Sequence, residues 1–332
     1  AYSPTRRSFR TTQDRTEPPR LILPRQSAIM KYLSLPIRHP DPGFSVGLAP
    51  ARIGGDADVH ATSYAGFRQA VLDGFATYRR RHFAGRDALL EPGPQGALIF
   101  RPEAAHRNLF DPALYHDLAH RPRGLRSMTS SRALAISVFG TLARREDLGL
   151  LAEVPCADFL PLLPEAGQAW ALDLQGERGV DLWLRGPDLR LTVAPCLLER
   201  NLGACPKARR GACAGPVCCP LVAQQIGWQG GGPADCPLHQ LYVLAQPLRA
   251  LAGDPAAGAD SPRTLLLVCD ARNPAFAPDS RLSGLLAELQ QALPAPFVLR
   301  RITWQAIAAA MARSPWYSDL LGFLREKYGI DS

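Results

Sequence analysis

Six of the eight cysteines in this 332-residue chain fall in one segment: Cys196, Cys205, Cys213, Cys218, Cys219 and Cys236. Cys156 and Cys269 stand alone. Thiolates gathered from a loop suit tetrahedral Zn²⁺ or an iron–sulfur cluster. The spacing points to Cys205, Cys213, Cys219 and Cys236 as the four ligands, with Cys218 able to replace Cys219 and His239 able to replace one thiolate. Pro206, Gly211, Gly215, Pro216, Gly230, Gly231, Gly232 and Pro233 leave the segment poor in core-forming residues, so something other than apolar burial must order it. Without a Cys-x-x-Cys pair, the bland alternative is a set of reduced thiols in a loop. Since no apolar leader precedes the domain, a reducing cytoplasm is the expected compartment and favours a metal over disulfides.

The second chemical signal is arginine. The chain carries 38 basic residues and a net charge of +8, yet only Lys31, Lys207 and Lys327 are lysines. Arginine is the better fork for phosphate, so DNA or RNA is an expected partner. Arg79, Arg80 and Arg81 are the candidate nucleic-acid contacts, although cations at the last turn of a helix are also explained by its dipole. Residues 1–60 form a Pro-rich arm whose first part holds Arg6, Arg7, Arg10, Arg15, Arg20 and Arg25, either a solvated tail or a segment that orders on a partner. No apolar run is long enough to cross a bilayer.

The elements that must position these groups follow from periodicity. A helix is expected from Thr62, capped by Ser63 and stopped by Gly85, with Tyr64, Phe67, Val71, Phe75 and Tyr78 on its buried face. A second helix, 131–145, is apolar on nearly every side and should be central. A short segment, 147–154, ends at Glu153, and strands follow at 168–174, 180–185 and 189–195, the last two joined by Gly186-Pro187-Asp188. A helix at 238–251, interrupted at Pro247, leads to a fully apolar strand at 264–269. Then come a helix (280–293), a strand (297–303) and helices at 304–313 and 315–327. This is a three-layer α/β (α+β) arrangement around one mixed sheet.

A helix, three strands, a helix and a strand resemble the core of the PD-(D/E)XK, or restriction-endonuclease-like, nucleases. Ser130-Ser131-Arg132-Ala133-Leu134-Ala135-Ile136-Ser137-Val138-Phe139-Gly140 is similar to the Ser-Ser-Gln-hydrophobic-Phe-Gly helix of a bacterial branch of that superfamily. Glu199-Arg200-Asn201-Leu202-Gly203-Ala204-Cys205, Ile226-Gly227-Trp228 and Cys236-Pro237-Leu238 resemble the cysteine-bearing segment after its third strand. The resemblance implies a restriction-endonuclease-like domain over 61–305, its metal loop at 196–239, and a C-terminal helical extension at 306–332. In such nucleases a strand Asp and a Glu-x-Lys on the next strand hold Mg²⁺ against the scissile phosphate, often with a helical Glu. Asp181 matches the strand Asp and Glu153 can match the helical Glu. The Glu-x-Lys slot falls on Ala194-Pro195-Cys196, and no lysine lies on that strand. Pro187-Asp188 sits in a turn, and Glu199-Arg200-Asn201 downstream of it lacks the lysine.

Glu153, Asp181, Ala194 and Cys196 therefore read as relic positions. The expected function is that of a pseudo-nuclease: a nucleic-acid-binding or assembly subunit beside a protein partner in bacterial DNA repair or defence. An active metal-dependent nuclease using Glu153 and Asp181 is the alternative, and a protein-interaction scaffold without nucleic acid a second one. In related nucleases a four-cysteine iron–sulfur cluster draws one ligand from upstream of the nuclease strands. All four candidates here lie downstream, which favours zinc over a 4Fe-4S cluster.

Overall fold

The computed structural model describes residues 63–92, 98–118, 123–154, 171–173, 182–185, 190–206, 236, 238–253 and 262–332. The expected 1–60 arm lies outside them, as do Asp181, Asp188, Cys156, Cys213, Cys218 and Cys219.

Helix α1 runs Tyr64–Phe83; the Ser63 hydroxyl accepts from Gly66 N, and Gly85 takes a left-handed φ of +69° just beyond its end. Its buried stripe is Phe67, Val71, Phe75 and Phe83. Helix α2, Ser131–Arg144, is capped by Ser130 and buried at every position from Ala133 to Leu142, as its uninterrupted apolar run demands. The sheet begins with β1 (Ala171–Asp173), β2 (Trp183–Arg185) and β3 (Arg190–Pro195). It continues through α3 (Ala245–Ala252), β4 (Arg263–Cys269), α4 (Arg281–Ala292) and β5 (Phe297–Thr303). Helices α5 (Trp304–Met311) and α6 (Ser318–Tyr328) close the chain.

The five strands lie in the order β1-β2-β3-β4-β5. The first three form an antiparallel meander, while β3, β4 and β5 are parallel, so the sheet is mixed. Helices on both faces make three layers. Leu191, Val193, Leu266, Val268 and Ile302 join the core that contains α2, α5 and α6. Ala194, Cys196, Leu265, Leu267 and Leu299 join a second core beneath α3 and α4. β4 feeds both cores, which is why its sequence is apolar without alternation. The 306–332 segment packs Ile307, Leu320, Leu324 and Tyr328 into the same core as α2.

Several expected elements change. Pro247 does not interrupt a helix: it is the third residue of α3, where no intrahelical partner exists for its missing N–H. The residues before it form a 3₁₀ turn, Tyr242–Leu244. The 147–154 segment is likewise 3₁₀ (Leu148–Glu153), and 315–317 is a 3₁₀ turn that leads into α6. β1 and β2 are described over Ala171–Asp173 and Trp183–Arg185; the rest of the expected 168–174 and 180–185 strands lies outside the described residues, apart from Leu182.

Candidate functional site

The slot on β3 where the resemblance would place Glu-x-Lys is interior. Alternation puts Thr192, Ala194 and Cys196 on the α3 side, where Ala194 is 4% and Cys196 1% exposed. Trp183, Leu202, Leu241, Leu244 and Leu267 belong to the same core, and α3 packs on both β3 and β4. Positions expected to face a metal thus face carbon. Burial pushes the Cys196 thiol well up, with Glu199 and Cys269 adding to it. A thiol held protonated is a poor ligand and a poor nucleophile. Glu153 closes the 3₁₀ segment after α2.

Polar groups gather instead at the carboxyl ends of β3, β4 and β5. There the two stretches that carry the resemblance meet: Ser131 Oγ, in the first turn of α2, donates to Glu199 Oε1 at 3.0 Å, and Leu197 N donates to Glu199 Oε2. The α2 N-terminus suits an anion, yet burial still raises the Glu199 pKa above the ordinary carboxylate value, opposed by the hydrogen bonds it accepts. Asn273, 1% exposed, donates through Nδ2 to Glu199 O (2.9 Å) and Leu197 O (3.3 Å), tying the loop after β4 to the loop after β3. Trp304 Nε1 donates to Cys196 O at 2.8 Å, and Tyr64 OH donates to Leu198 O.

Asp270, fully buried at the end of β4, anchors the network. Its Oδ1 accepts from Arg272 Nε (3.0 Å), Arg272 N (2.9 Å) and Gln305 Nε2 (2.8 Å), and its Oδ2 from Arg272 Nη2 (2.6 Å). Arg272 also donates to Tyr328 O and Gly329 O, and Gln305 Oε1 accepts from Ala271 N. A carboxylate with so many donors has little capacity left for Mg²⁺. Chemically the arrangement clasps the loops after β3 and β4 to the start of α5 and the end of α6. Sequence reading missed Asp270, Arg272, Asn273 and Gln305. The available signal was an Asp directly after a fully apolar parallel strand, the end of the sheet where α/β folds place polar function.

Two of the four expected thiol ligands, Cys205 and Cys236, are described; both are partly exposed and neither is in a disulfide. Backbone hydrogen bonds draw their stretches together: Cys205 N donates to His239 O (2.8 Å), His239 N to Cys236 O (2.9 Å), Val243 N to Leu202 O (2.8 Å) and Tyr242 N to Gly203 O (3.1 Å). The two stretches that flank the cysteine segment are thus joined through the backbones of Cys205, Cys236 and His239. Soft donors in such a place would suit zinc. Cys205, Cys236 and two further donors would hold it, and its chemistry would be to cross-link the two stretches. Among the described residues no group of three candidate ligands closes by itself.

The three α1 arginines have local acidic or hydroxyl company. Arg79 pairs with Asp87 (2.9 Å), Arg80 donates to Thr77 Oγ1 (2.9 Å), and Arg81 and His82 pair with Glu326 of α6. Arg79 also lines a cleft of about 400 Å³ with Asp87, Ala88, Leu90, Glu91, Pro92 and Arg101. Among the described residues no helix is long and apolar enough to cross a membrane.

No protein-family model, curated protein or solved structure matches this chain. Its fold class is mixed α/β.

Proposed function

We propose that this chain is a restriction-endonuclease-like protein that binds nucleic acid without cutting it, acting as a binding or assembly subunit in bacterial DNA repair or defence, with its cysteine segment stapled by zinc. The observation that carries the reading is the slot on β3. Among the described residues a helix, a three-strand meander, a helix and a parallel strand occur in an order that agrees with the resemblance, and on the strand to which the resemblance would assign catalysis Ala194 and Cys196 are buried and uncharged. Two-metal or one-metal phosphodiester hydrolysis needs paired anionic oxygens that can reach solvent and phosphate. Glu199 and Asp270, the acidic groups near the end of this sheet, are bound up in holding loops.

The chain's own contribution is then binding and orientation. Arginines supply phosphate contacts, and a stapled loop beside β3 presents a fixed surface to a partner. The test is metal analysis and ultraviolet–visible absorption of the purified protein, followed by oligonucleotide binding at rising salt. One zinc per chain, no iron–sulfur absorption and an affinity that falls steeply with salt are expected. A brown protein would replace zinc by an iron–sulfur cluster, and salt-independent or absent binding would favour the protein-interaction scaffold.

A further inference from the structure

The cleft beside α1 joins two arginines that the sequence separates. Arg79 reaches it from the last turns of α1. Arg101 reaches it from the far side of a short antiparallel clasp, in which Glu91 N donates to Ile99 O (2.8 Å) and Arg101 N to Leu89 O (2.9 Å). Arg101 Nε then donates to Leu90 O at 3.1 Å, which fixes the guanidinium at the rim while its two terminal amino groups hold no hydrogen bond among the described residues. Arg79 is steadied by Asp87, through Nη2 only, and its buried Nε has no hydrogen-bond partner among the described residues.

Two acidic groups, Asp87 and Glu91, share the cleft with these arginines, and both are already paired. Asp87, its side chain 79% exposed, is matched to Arg79 and Glu91 to Arg126, so Arg101 has no ion-pair partner among the described residues. The remaining lining, Ala88, Leu90 and Pro92, is apolar and small. Two anchored guanidinium groups with unspent donors on one concave surface match the tetrahedral oxygens of a phosphate group, which arginine forks recognise through paired hydrogen bonds. An unmatched buried donor is also a group that folded proteins seldom leave without an acceptor.

We infer that the Arg79–Arg101 cleft is a phosphate-binding site. Resting on the nucleic-acid reading above, it takes a backbone or terminal phosphate of the bound strand; the same chemistry would accept a free phosphate, and the experiment separates the two. The ≈ 400 Å³ space admits one phosphate with its sugar and is too small for a duplex. Recognition here is therefore of single groups on the strand.

The full-length protein is titrated with a labelled oligonucleotide, with and without a 5′ phosphate, and separately with inorganic phosphate, using wild type, Arg79→Gln, Arg101→Gln and the control Arg107→Gln. Arg107 is exposed in the same region and does not line the cleft. Arg101→Gln is expected to weaken oligonucleotide binding roughly tenfold and to reduce the salt slope by about one phosphate contact, with Arg79→Gln similar and Arg107→Gln close to wild type. Equal binding by all four proteins overturns the cleft and leaves the nucleic-acid reading standing. Inorganic phosphate bound by wild type and lost in Arg101→Gln, with no oligonucleotide binding, keeps the site and overturns that reading. Binding of neither ligand overturns both. Circular dichroism and an unfolding midpoint for each variant check that the fold is retained.

Discussion

The side of β3 under α3 and the carboxyl end of the same strand lie a few residues apart and are built in opposite ways. Under α3, Ala194 and Cys196 join a leucine-rich core beside the buried Thr192, and no charged side chain belongs to that core among the described residues. At the strand's end, Glu199, Asp270, Asn273 and Gln305 take part in hydrogen bonds that tie the loops after β3 and β4 to each other and to α2 and α5. The lesson concerns where the fold places its polarity: at the strand ends, where it fixes backbone, and not on the side of β3 that α3 covers. Buried polar groups persist in a fold when each is matched, and a half-matched set costs more than an apolar one.

Placing a carboxylate in the apolar region should break the contrast most violently. Ala194→Glu buries an unpaired acid and is expected to lower stability by about 3–5 kcal/mol in urea unfolding without creating nuclease activity. A variant as stable as wild type would mean that this side of β3 opens to water.

At the other end, Asp270→Ala leaves Arg272 and Gln305 without their acceptor. Arg272 is 41% exposed, so water rescues part of the loss. A cost of about 2–3 kcal/mol is expected, with faster amide exchange in the loop after β4 and at the end of α6, to which Arg272 also donates. An unchanged midpoint would show that the network is ornamental.

How much of this was written in the residues can be judged element by element. Ser63, the Phe67–Val71–Phe75 stripe and the unbroken apolar run of β4 are local signals, and each produced its element within a residue or two. The alternation of β3 correctly paired Ala194 with Cys196 on one side, but which helix covers that side depends on α3, some fifty residues on. The Asp270 network was illegible for the same reason. Gln305 comes from another element, and an Asp two residues before an Arg is ordinary loop chemistry until burial makes the pair obligatory. Nothing local to Lys327, one of the three lysines, marks it as buried. It is 1% exposed, its Nζ donating to Asn108 O and Oδ1 (the latter at 2.7 Å), because α6 turns that face onto α1.

Lys327 extends the comparison to pH. Burial drives its pKa well below the ordinary lysine value. The rings of Phe323 and Tyr328, at 4.9 and 5.0 Å, offset this only in part. Asn108 accepts two hydrogen bonds, as many as a neutral amine can donate. The other titratable groups beside it, Tyr78 (pushed up to about 12) and Tyr328 (also raised), stay protonated through neutral pH. Between the lowered folded value and the ordinary lysine value the unfolded chain binds more protons, so wild-type stability rises with pH through that window. Lys327→Met should therefore be more stable than wild type, by about 2 kcal/mol at the acid end, the gap closing as pH approaches 10. A gap that is flat with pH would show that the amine is charged where it sits.

The mildest probe is chemical. With Cys196 raised by burial and Cys269 pushed up to about 12, iodoacetamide at pH 8 should leave both unmodified in the native protein while labelling the partly exposed Cys205 and Cys236 in the presence of a chelator. Peptide mapping reads the four sites separately, and rapid labelling of Cys196 would expose the apolar region as a cleft.

The central claim, a nuclease-like scaffold that holds nucleic acid without cutting it, is tested most directly by incubating the protein with an end-labelled oligonucleotide and Mg²⁺ or Mn²⁺ and resolving the products on a denaturing gel. A shifted native complex from which the strand is recovered at full length is the predicted result. Metal-dependent cleavage that Asp181→Ala abolishes would contradict it.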